Sequence, residues 1–233
     1  MSEKIIAYKA MNPDMTCQGK KYEVGKTYFE DKADCCNAGM HACENPFEVL
    51  RYYPMKDNPR FFEVECGGEI SKSDKGSKLA CTELTVKGEL NFAGMLKATL
   101  DAVFRRVKDK EPFSSGYSST AGTSGNYSTA GTSGYFSTAG TSGDYSTAGT
   151  SGYYSTAAAT GPYCRAKAEG NNSIAVANGY KSKVKGSVGC YLVLTEYDDD
   201  GNFLCADLKF VDGISIKADT WYMLKDGLAV ESE

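Results

Sequence analysis

The sequence predicts three segments: an N-terminal α+β domain at 1–115, a β-solenoid of nonapeptide repeats at 116–187, and a β-rich C-terminal cap at 188–233. A glycine recurs at every ninth position through the middle segment. Tyrosine follows every second one of the first six glycines, which doubles the period to about 18 residues. The composition also changes at both ends of the repeat, from ordinary globular sequence to Gly, Ser, Thr, Ala and Tyr. Short glycine-led repeats of constant length are typical of solenoids.

Strand patterns come first in the N-terminal segment. Apolar residues at 5–8 favour a first strand, and residues 60–66 alternate apolar and polar side chains as a half-buried strand does. We expect Gly67 and Gly68 to end that strand. Residues 79–90 are expected to hold another strand or a hairpin.

Two helices are expected in the same segment. Asn45 before Pro46 is a typical helix start, and Pro54 should end this short helix. Asn91 is predicted to cap a longer helix whose apolar residues recur with i, i+3, i+4 spacing. These residues are Phe92, Met95, Leu96, Leu100, Val103, Phe104 and Val107. The stripe predicts a helix packed on a sheet.

The repeat consists of eight units, which begin at Gly116, Gly125, Gly134, Gly143, Gly152, Gly161, Gly170 and Gly179. Places four, six and eight of every unit hold small residues. Because alternate residues of a strand share a face, each unit should be a short strand with a small interior, turned by its glycine. Two units per coil give four coils, or a rod of about 19 Å at ~4.8 Å per coil. Interior Ser and Thr hydroxyls are expected to bond backbone groups between coils.

Two aromatic sets are predicted to lie outside the coil, on opposite faces. The first set is Tyr117, Tyr135, Tyr153, Phe136 and Tyr154, and the second is Tyr127, Tyr145 and Tyr163 beside Asn126 and Asp144. Exposed aromatic rows mark contact surfaces, although stacking between coils would also account for them. A basic patch is expected from Arg165, Lys167, Lys181, Lys183 and Lys185. This patch favours a phosphate-bearing partner, so nucleic acid is one expected contact at the basic end of the solenoid.

The C-terminal segment is acidic, with three basic and ten acidic residues. Residues 189–197 and 203–211 are predicted to form a hairpin around a turn at 198–202. A last strand from 219 to 224 should turn at 226–227 and return. Since the terminal units of a solenoid need a cap, this segment is expected to close its open end.

Composition limits the classes of function. The net charge of −4 disfavours a general nucleic-acid binder. No apolar run approaches the ~18 residues of a membrane span, and the N-terminus MSEKIIAYK lacks a signal-peptide core, so we expect a cytoplasmic protein without membrane contact. The nine cysteines are an odd number without a C-x-x-C pair, which favours reduced thiols over disulfides or a metal site. We expect no metal and no cofactor.

Candidate catalytic residues are few. His41 is the only histidine and lies two residues from Cys43. Residues two apart on a strand share a face, so a Cys–His pair is one interpretation. Structural thiols are the alternative, and on balance the sequence leans away from an enzyme.

Two resemblances concern origin and repeat. The stretches YKAMNPDMTCQGKKYEVGKTY (8–28), GMHACENPFEVLRYYP (39–54) and KADTWYMLKDG (217–227), with the repeats between them, resemble a family of uncharacterised phage and prophage proteins of gut-type bacteria. This likeness implies a viral or prophage origin and the cytoplasm of a bacterial host cell. The stretch GNNSIAVANGYKSKVKGSVG (170–189) is similar to the head repeats of trimeric autotransporter adhesins, which are β-rolls that trimerise.

The N-terminal segment also resembles the core of small ADP-ribosyltransferases. The likeness rests on a strand ending at Lys9, the tripeptide GMH that ends at His41, a short helix at 46–53 and the strand RFFEVEC. In that family the first strand supplies His or Arg to hold NAD, and a later Glu or Gln acts on the ribose. Here Lys9 stands at the first of these positions and a final Gln/Glu motif is missing, so the resemblance implies a degenerate site.

These observations favour a non-enzymatic, phage-derived binding protein. Its rigid solenoid surface would engage a host protein or ribonucleoprotein, and inhibition of a host defence nuclease, as by an anti-CRISPR protein, would fit the implied origin. One alternative is ADP-ribosyl transfer by the N-terminal domain. The other is a structural or adhesion-type β-roll that forms homo-oligomers.

Overall fold

The computed structural model describes residues 4–73, 76–107 and 110–233. The chain divides into two compact units, Met1–Ala102 and Val103–Glu233. The first unit contains a β-sheet domain, and the second contains the solenoid and its cap. The predicted fold class is confirmed.

The first unit is built on a five-stranded sheet, four of whose strands form a closed ring. Its strands are β1 (Ile5–Met11), β4 (Thr27–Phe29), β5 (Met40–Cys43), β6 (Arg60–Lys72) and β7 (Lys78–Leu90), and a small separate pair is formed by β2 (Thr16–Cys17) and β3 (Lys20–Lys21). β1 pairs with β5 and β6, and β7 pairs with β4, β5 and β6, all antiparallel. The core of this unit is apolar and includes Ala7, Met11, Phe62, Val64, Leu79, Leu84 and Val86.

One strand prediction in this unit is wrong, and another is confirmed. Gly67 and Gly68 do not end β6, which continues to Lys72. Instead, the register against β7 shifts between Gly67 and Ile70, and Gly68 has φ +70, so the glycines form a bulge. Residues 79–90 form one long strand with the preceding Lys78, so of the two predicted alternatives the strand is confirmed and the hairpin is not formed. At Gly67 and Gly68 the long pairing between β6 and β7 overrides the local turn signal.

The helices differ in type. The segment after Asn45 is a 3₁₀ helix at Pro46–Arg51, followed by a second 3₁₀ turn at Met55–Asp57. The long helix, α1, spans Phe92–Val107. The amide N–H of Gly94 donates to Asn91 Oδ1 at 2.9 Å, which confirms the predicted cap. Of the predicted stripe, Met95, Leu96, Val103 and Val107 are buried.

The solenoid has two parallel sheets that alternate along the chain. Sheet I contains β8 (Phe113–Ser114), β10 (Thr129–Thr132), β12 (Thr147–Thr150), β14 (Arg165–Ala168) and β16 (Lys183–Gly186), and sheet II contains β9 (Thr120–Ser124), β11 (Thr138–Ser142), β13 (Thr156–Thr160) and β15 (Ile174–Asn178). Partners in adjacent coils are 18 residues apart, as in Thr129↔Thr147 and Ala139↔Ala157. The predicted 18-residue coil is therefore confirmed.

The solenoid interior is filled by small side chains. The sixth-place alanines from Ala121 to Ala175, and Val184 in the last unit, are fully buried. Fourth-place serines bond between coils: the Ser155 hydroxyl accepts from the Ser137 N–H at 3.1 Å and donates to the Gly134 carbonyl at 3.0 Å. On the outer face of sheet II, Val107 of α1 lies against Gly122 and Gly140.

The prediction for the threonine hydroxyls is wrong. Within the described residues, the buried hydroxyls of Thr132, Thr141 and Thr150 have no hydrogen-bond partner. The serines lie beside turns, where the carbonyls of the leading glycines accept their hydrogen bonds. The threonines lie within the strands, where backbone carbonyls already serve the sheet ladder.

Two hairpins cap the solenoid. β17 (Tyr191–Tyr197) extends sheet II in parallel with β15 and pairs with β18 (Phe203–Phe210), while β19 (Tyr222–Lys225) extends sheet I antiparallel to β16 and pairs with β20 (Leu228–Glu231). Larger side chains replace alanine at this end of the interior, namely Leu192, Leu194, Val211, Tyr222 and Leu224. Both predicted hairpins and the capping role are confirmed.

Candidate functional site

The turns of the solenoid place the aromatic residues. In every unit the third residue has a left-handed backbone, with φ between +50 and +58. These residues are Ser118, Tyr127, Phe136, Tyr145, Tyr154, Tyr163, Asn172 and Lys181. The second and third places therefore lie at the corners where the chain crosses between the two sheets. The predicted grouping of the aromatic residues holds, but the two sets lie on the edges of the coil rather than on its faces.

The first set forms what we call the Tyr135 edge: Tyr117, Tyr135, Tyr153, Phe136 and Tyr154. The rings of Tyr135 and Tyr153 stack with centroids 5.3 Å apart, and Tyr117 stacks on Tyr135 at 6.4 Å. Beside this row, Phe136 and Tyr154 stack at 5.2 Å with an interplanar angle of 8°. The edge thus carries two parallel aromatic rows and no charged side chain in those rows.

The second set forms the Tyr145 edge: Tyr127, Tyr145 and Tyr163. Its ring centroids are 5.0 and 4.8 Å apart, each with an interplanar angle of 6°. Tyr180 continues the row edge-on to Tyr163 at 5.7 Å, and the Lys181 ammonium lies 4.7 Å from the Tyr180 centroid. The sequence reasoning missed Tyr180, although it occupies the second place of the last unit. This edge also includes Asp144, whose N–H donates to Asn126 Oδ1 at 3.0 Å.

Stacking determines which part of each ring a partner can reach. A left-handed backbone destabilises the fold by roughly 1–2 kcal/mol for a residue with a side chain, and a stacked aromatic pair stabilises it by about 0.5–1.5 kcal/mol. The ladders therefore add little net stability. Tyr135 and Tyr145 are stacked on both sides, so a partner reaches the edges of these rings, which remain 49% exposed. Tyr127, at the end of its row, is 75% exposed.

The predicted basic patch is split between two places. Arg165, Lys167, Lys183 and Lys185 lie in neighbouring positions on the outer face of sheet I, since Arg165 is in register with Lys183 and Lys167 with Lys185. Lys181 lies apart from them, on the Tyr145 edge.

The cations on sheet I are partly engaged within the chain. The Arg165 guanidinium and the Lys185 ammonium lie 5.7 and 5.1 Å from the ring of Trp221, a member of this surface that sequence reasoning missed. Lys167 pairs with Glu169, and Lys183 donates to the Glu233 carbonyl. The patch is therefore a basic surface organised around one tryptophan.

Lys9, His41 and Cys43 all line one cavity of about 80 Å³ in the N-terminal domain. The Cys36 N–H donates to His41 Nε2 at 3.0 Å, so the neutral imidazole carries its proton on Nδ1. Burial, and then the ammonium groups of Lys78 and Lys9, lower the pKa of His41. Burial raises the pKa of the Cys43 thiol far above its ordinary value. The structure brings the three residues together, but a neutral histidine beside a protonated thiol does not make an activated nucleophile.

All nine cysteines are free thiols. Across residues 4–73, 76–107 and 110–233, no group of three or more His, Cys, Asp or Glu side chains is placed to hold a metal ion. None of the helices in the described part of the chain has the length and hydropathy to cross a bilayer.

Among comparisons with known proteins, one family model matches the N-terminal domain. Residues 5–98 match the model of a Domain of unknown function (DUF7666). This range is less than half of the chain, and it includes every residue that lines the cavity. No curated protein and no solved structure matches the chain.

Proposed function

We propose that this protein is a non-enzymatic binding protein whose solenoid presents the Tyr135 edge to a protein partner in a bacterial host cell. The observation that supports this most strongly is the double aromatic row, about half exposed at Tyr117, Tyr135 and Tyr153. The cores of protein–protein interfaces are rich in tyrosine and phenylalanine and poor in charge. The Tyr145 edge fits less well, because Asp144 and Lys181 lie along it.

The geometry of the rings favours a protein over nucleic-acid bases. Bases stack on free aromatic faces, whereas the two faces of Tyr135 are directed at the rings of Tyr117 and Tyr153 in neighbouring coils. The exposed ring edges and hydroxyls are suited to apolar contacts and hydrogen bonds with a protein. The cations on sheet I would add a second contact if the partner is a ribonucleoprotein.

The repeat itself supplies the replacements for a test. Asparagine occupies the second place at Asn126 and Asn171 and the third place at Asn172. We therefore replace Tyr135, Phe136, Tyr153 and Tyr154 by Asn, with Tyr127, Tyr145 and Tyr163→Asn as the matched control on the other edge. The wild-type protein and the two variants are each immobilised and incubated with host lysate. The proteins that each one retains are compared by mass spectrometry.

The proposal requires a host protein that the wild-type and the Tyr145-edge variant retain and the Tyr135-edge variant loses, with circular dichroism unchanged. Equal retention by all three proteins would show that the aromatic rows only support the fold. The phage-like stretches make a host defence nuclease the first purified partner to assay. ADP-ribosyl transfer receives no support from the His41 and Cys43 chemistry described above.

A further inference from the structure

Lys9 is a buried cation in the N-terminal domain. It lies on β1 and is only 5% exposed. Its ammonium donates to the His41 carbonyl at 2.8 Å and lies 5.2 Å from the Tyr22 centroid. Among the described residues, no carboxylate lies within ion-pair distance of this ammonium, although a buried charge without a counter-ion costs several kcal/mol. The cavity beside Lys9 is therefore electropositive.

A second cation, Lys78, lines the same cavity. Lys78 is in register with Cys43, and its ammonium lies 4.4 Å from the Tyr52 centroid. Glu48, the one buried carboxylate among the described residues, has other partners: it pairs with Arg51 and accepts from the Ser77 N–H. None of the residues that line the cavity is acidic.

The other hydrogen-bond donors of the cavity indicate the chemistry of its ligand, and the cavity volume indicates the size. His41 offers its Nδ1–H, since its Nε2 already accepts from Cys36. Tyr52, half exposed, also lines the cavity, and its side chain carries a hydroxyl that can donate. A volume of about 80 Å³ admits a few water-sized groups, which corresponds to one oxyanion rather than a whole nucleotide. Two ammonium groups match the charge of a phosphoryl dianion better than that of a carboxylate.

We propose that this cavity binds the phosphoryl group of a small ligand, with Lys9 and Lys78 as its two cationic contacts. The binding site is separate from the aromatic edges of the solenoid. The phosphoryl group is either inorganic phosphate or the phosphate of a small ester, and both carry the same recognition chemistry.

His41 provides the probe, because it is the only histidine in the chain and lines the cavity. Its ring proton signals are followed by NMR while the full-length protein is titrated with inorganic phosphate, ribose 5-phosphate, ribose or acetate at constant ionic strength. The variants are Lys9→Met, which keeps a side chain of similar length, and Lys78→Gln. Lys87→Gln, on the same strand as Lys78, is the matched control.

The proposal expects saturable shifts of the His41 signals with inorganic phosphate or ribose 5-phosphate, and not with ribose. The tighter of the two ligands identifies the source of the phosphoryl group. Lys9→Met and Lys78→Gln should each weaken binding at least about tenfold, whereas Lys87→Gln should not. Absence of saturation with either phosphate, equal binding of acetate, or equal affinity in all variants would overturn the proposal. If Lys9→Met does not fold, Lys78→Gln decides.

Discussion

Gly152 lies directly over Gly134 in successive turns, so close that a Cβ on Gly152 would overlap the Gly134 carbonyl group. The same relationship holds between Gly170 and Gly152 and between Gly143 and Gly125. The ~4.8 Å spacing of paired strands leaves no room for a methyl group at this point. The glycine period therefore reflects contact between coils as well as the turn within each unit.

Replacing Gly152 by Ala should destabilise the solenoid. The added methyl group has to push apart two turns whose strands are fixed by the ladder, and overpacking of this kind costs about 1–3 kcal/mol. For a chain of this size the melting temperature should fall by several degrees. Thermal unfolding followed by circular dichroism measures the change.

Gly149 provides the matched control three residues away. It lies on β12, and apart from Gly149 itself and its two chain neighbours no atom of the described residues lies within 4 Å of where its Cβ would be. Gly149→Ala should therefore leave the melting temperature unchanged or raise it slightly, because alanine has less backbone entropy to lose. Equal destabilisation by both substitutions would show that the close approach at Gly152 does not limit stability.

The repeat shows what can be derived from sequence and what cannot. The period of 18 follows from the spacing of tyrosines, because every second unit returns to the same place in the coil. The position of Tyr145 on an edge does not follow, because alternation describes strands and this residue sits in a left-handed turn. Likewise, the bulge at Gly68 depends on the pairing of β6 with β7, and the residues around Gly68 alone do not predict that pairing.

Two interior hydroxyls should respond in opposite directions. Ser155→Ala leaves the Ser137 N–H without its acceptor in a buried position, which should cost about 1–3 kcal/mol. Thr141→Val replaces a buried hydroxyl that has no partner among the described residues with a methyl group of similar size, and should stabilise the protein by about 1 kcal/mol. Urea unfolding of both variants measures the two changes. Destabilisation by Thr141→Val would contradict the assignment of its hydroxyl as unpartnered.

The N-terminal cavity could be found only in part from sequence. Residue type and a family likeness make Lys9, His41 and Cys43 candidates from sequence alone. Lys78 is not a candidate from sequence, since it reaches the cavity through the pairing of β5 with β7, in which it lies opposite Cys43. Register between strands distant in sequence depends on the whole sheet, so such a residue carries no local signal.

Acidification should destabilise the N-terminal domain through His41. Its pKa is lowered in the folded chain by burial and by Lys78 and Lys9, so the unfolded chain binds more protons below about pH 6.5. The stabilising contribution is thus complete above that pH and is lost as the pH falls through the lowered pKa. Urea midpoints between about pH 7.5 and 5.5 should decline in the wild type.

His41→Gln is the control for this pH dependence. Glutamine can still accept the Cys36 N–H but does not titrate, so the decline between these pH values should become smaller. An unchanged pH dependence in His41→Gln, or a His41 pKa at or above its ordinary value by NMR, would contradict the assignment.

Glu196 joins the two capping hairpins, and its removal should loosen one turn. Its carboxylate accepts the N–H groups of Asp226 and Gly227 at 2.7 and 2.8 Å, and these bonds lower the pKa of Glu196. In Glu196→Ala, amide exchange at Asp226 and Gly227 should become about ten- to a hundredfold faster, because two charge-assisted bonds are lost. Glu231→Ala, which removes only an exposed pair with Lys217, should leave both amides unchanged. If hydrogen exchange shows equal protection in Glu196→Ala and the wild type, the turn is held by the β19–β20 ladder alone and the carboxylate is not the link between the hairpins.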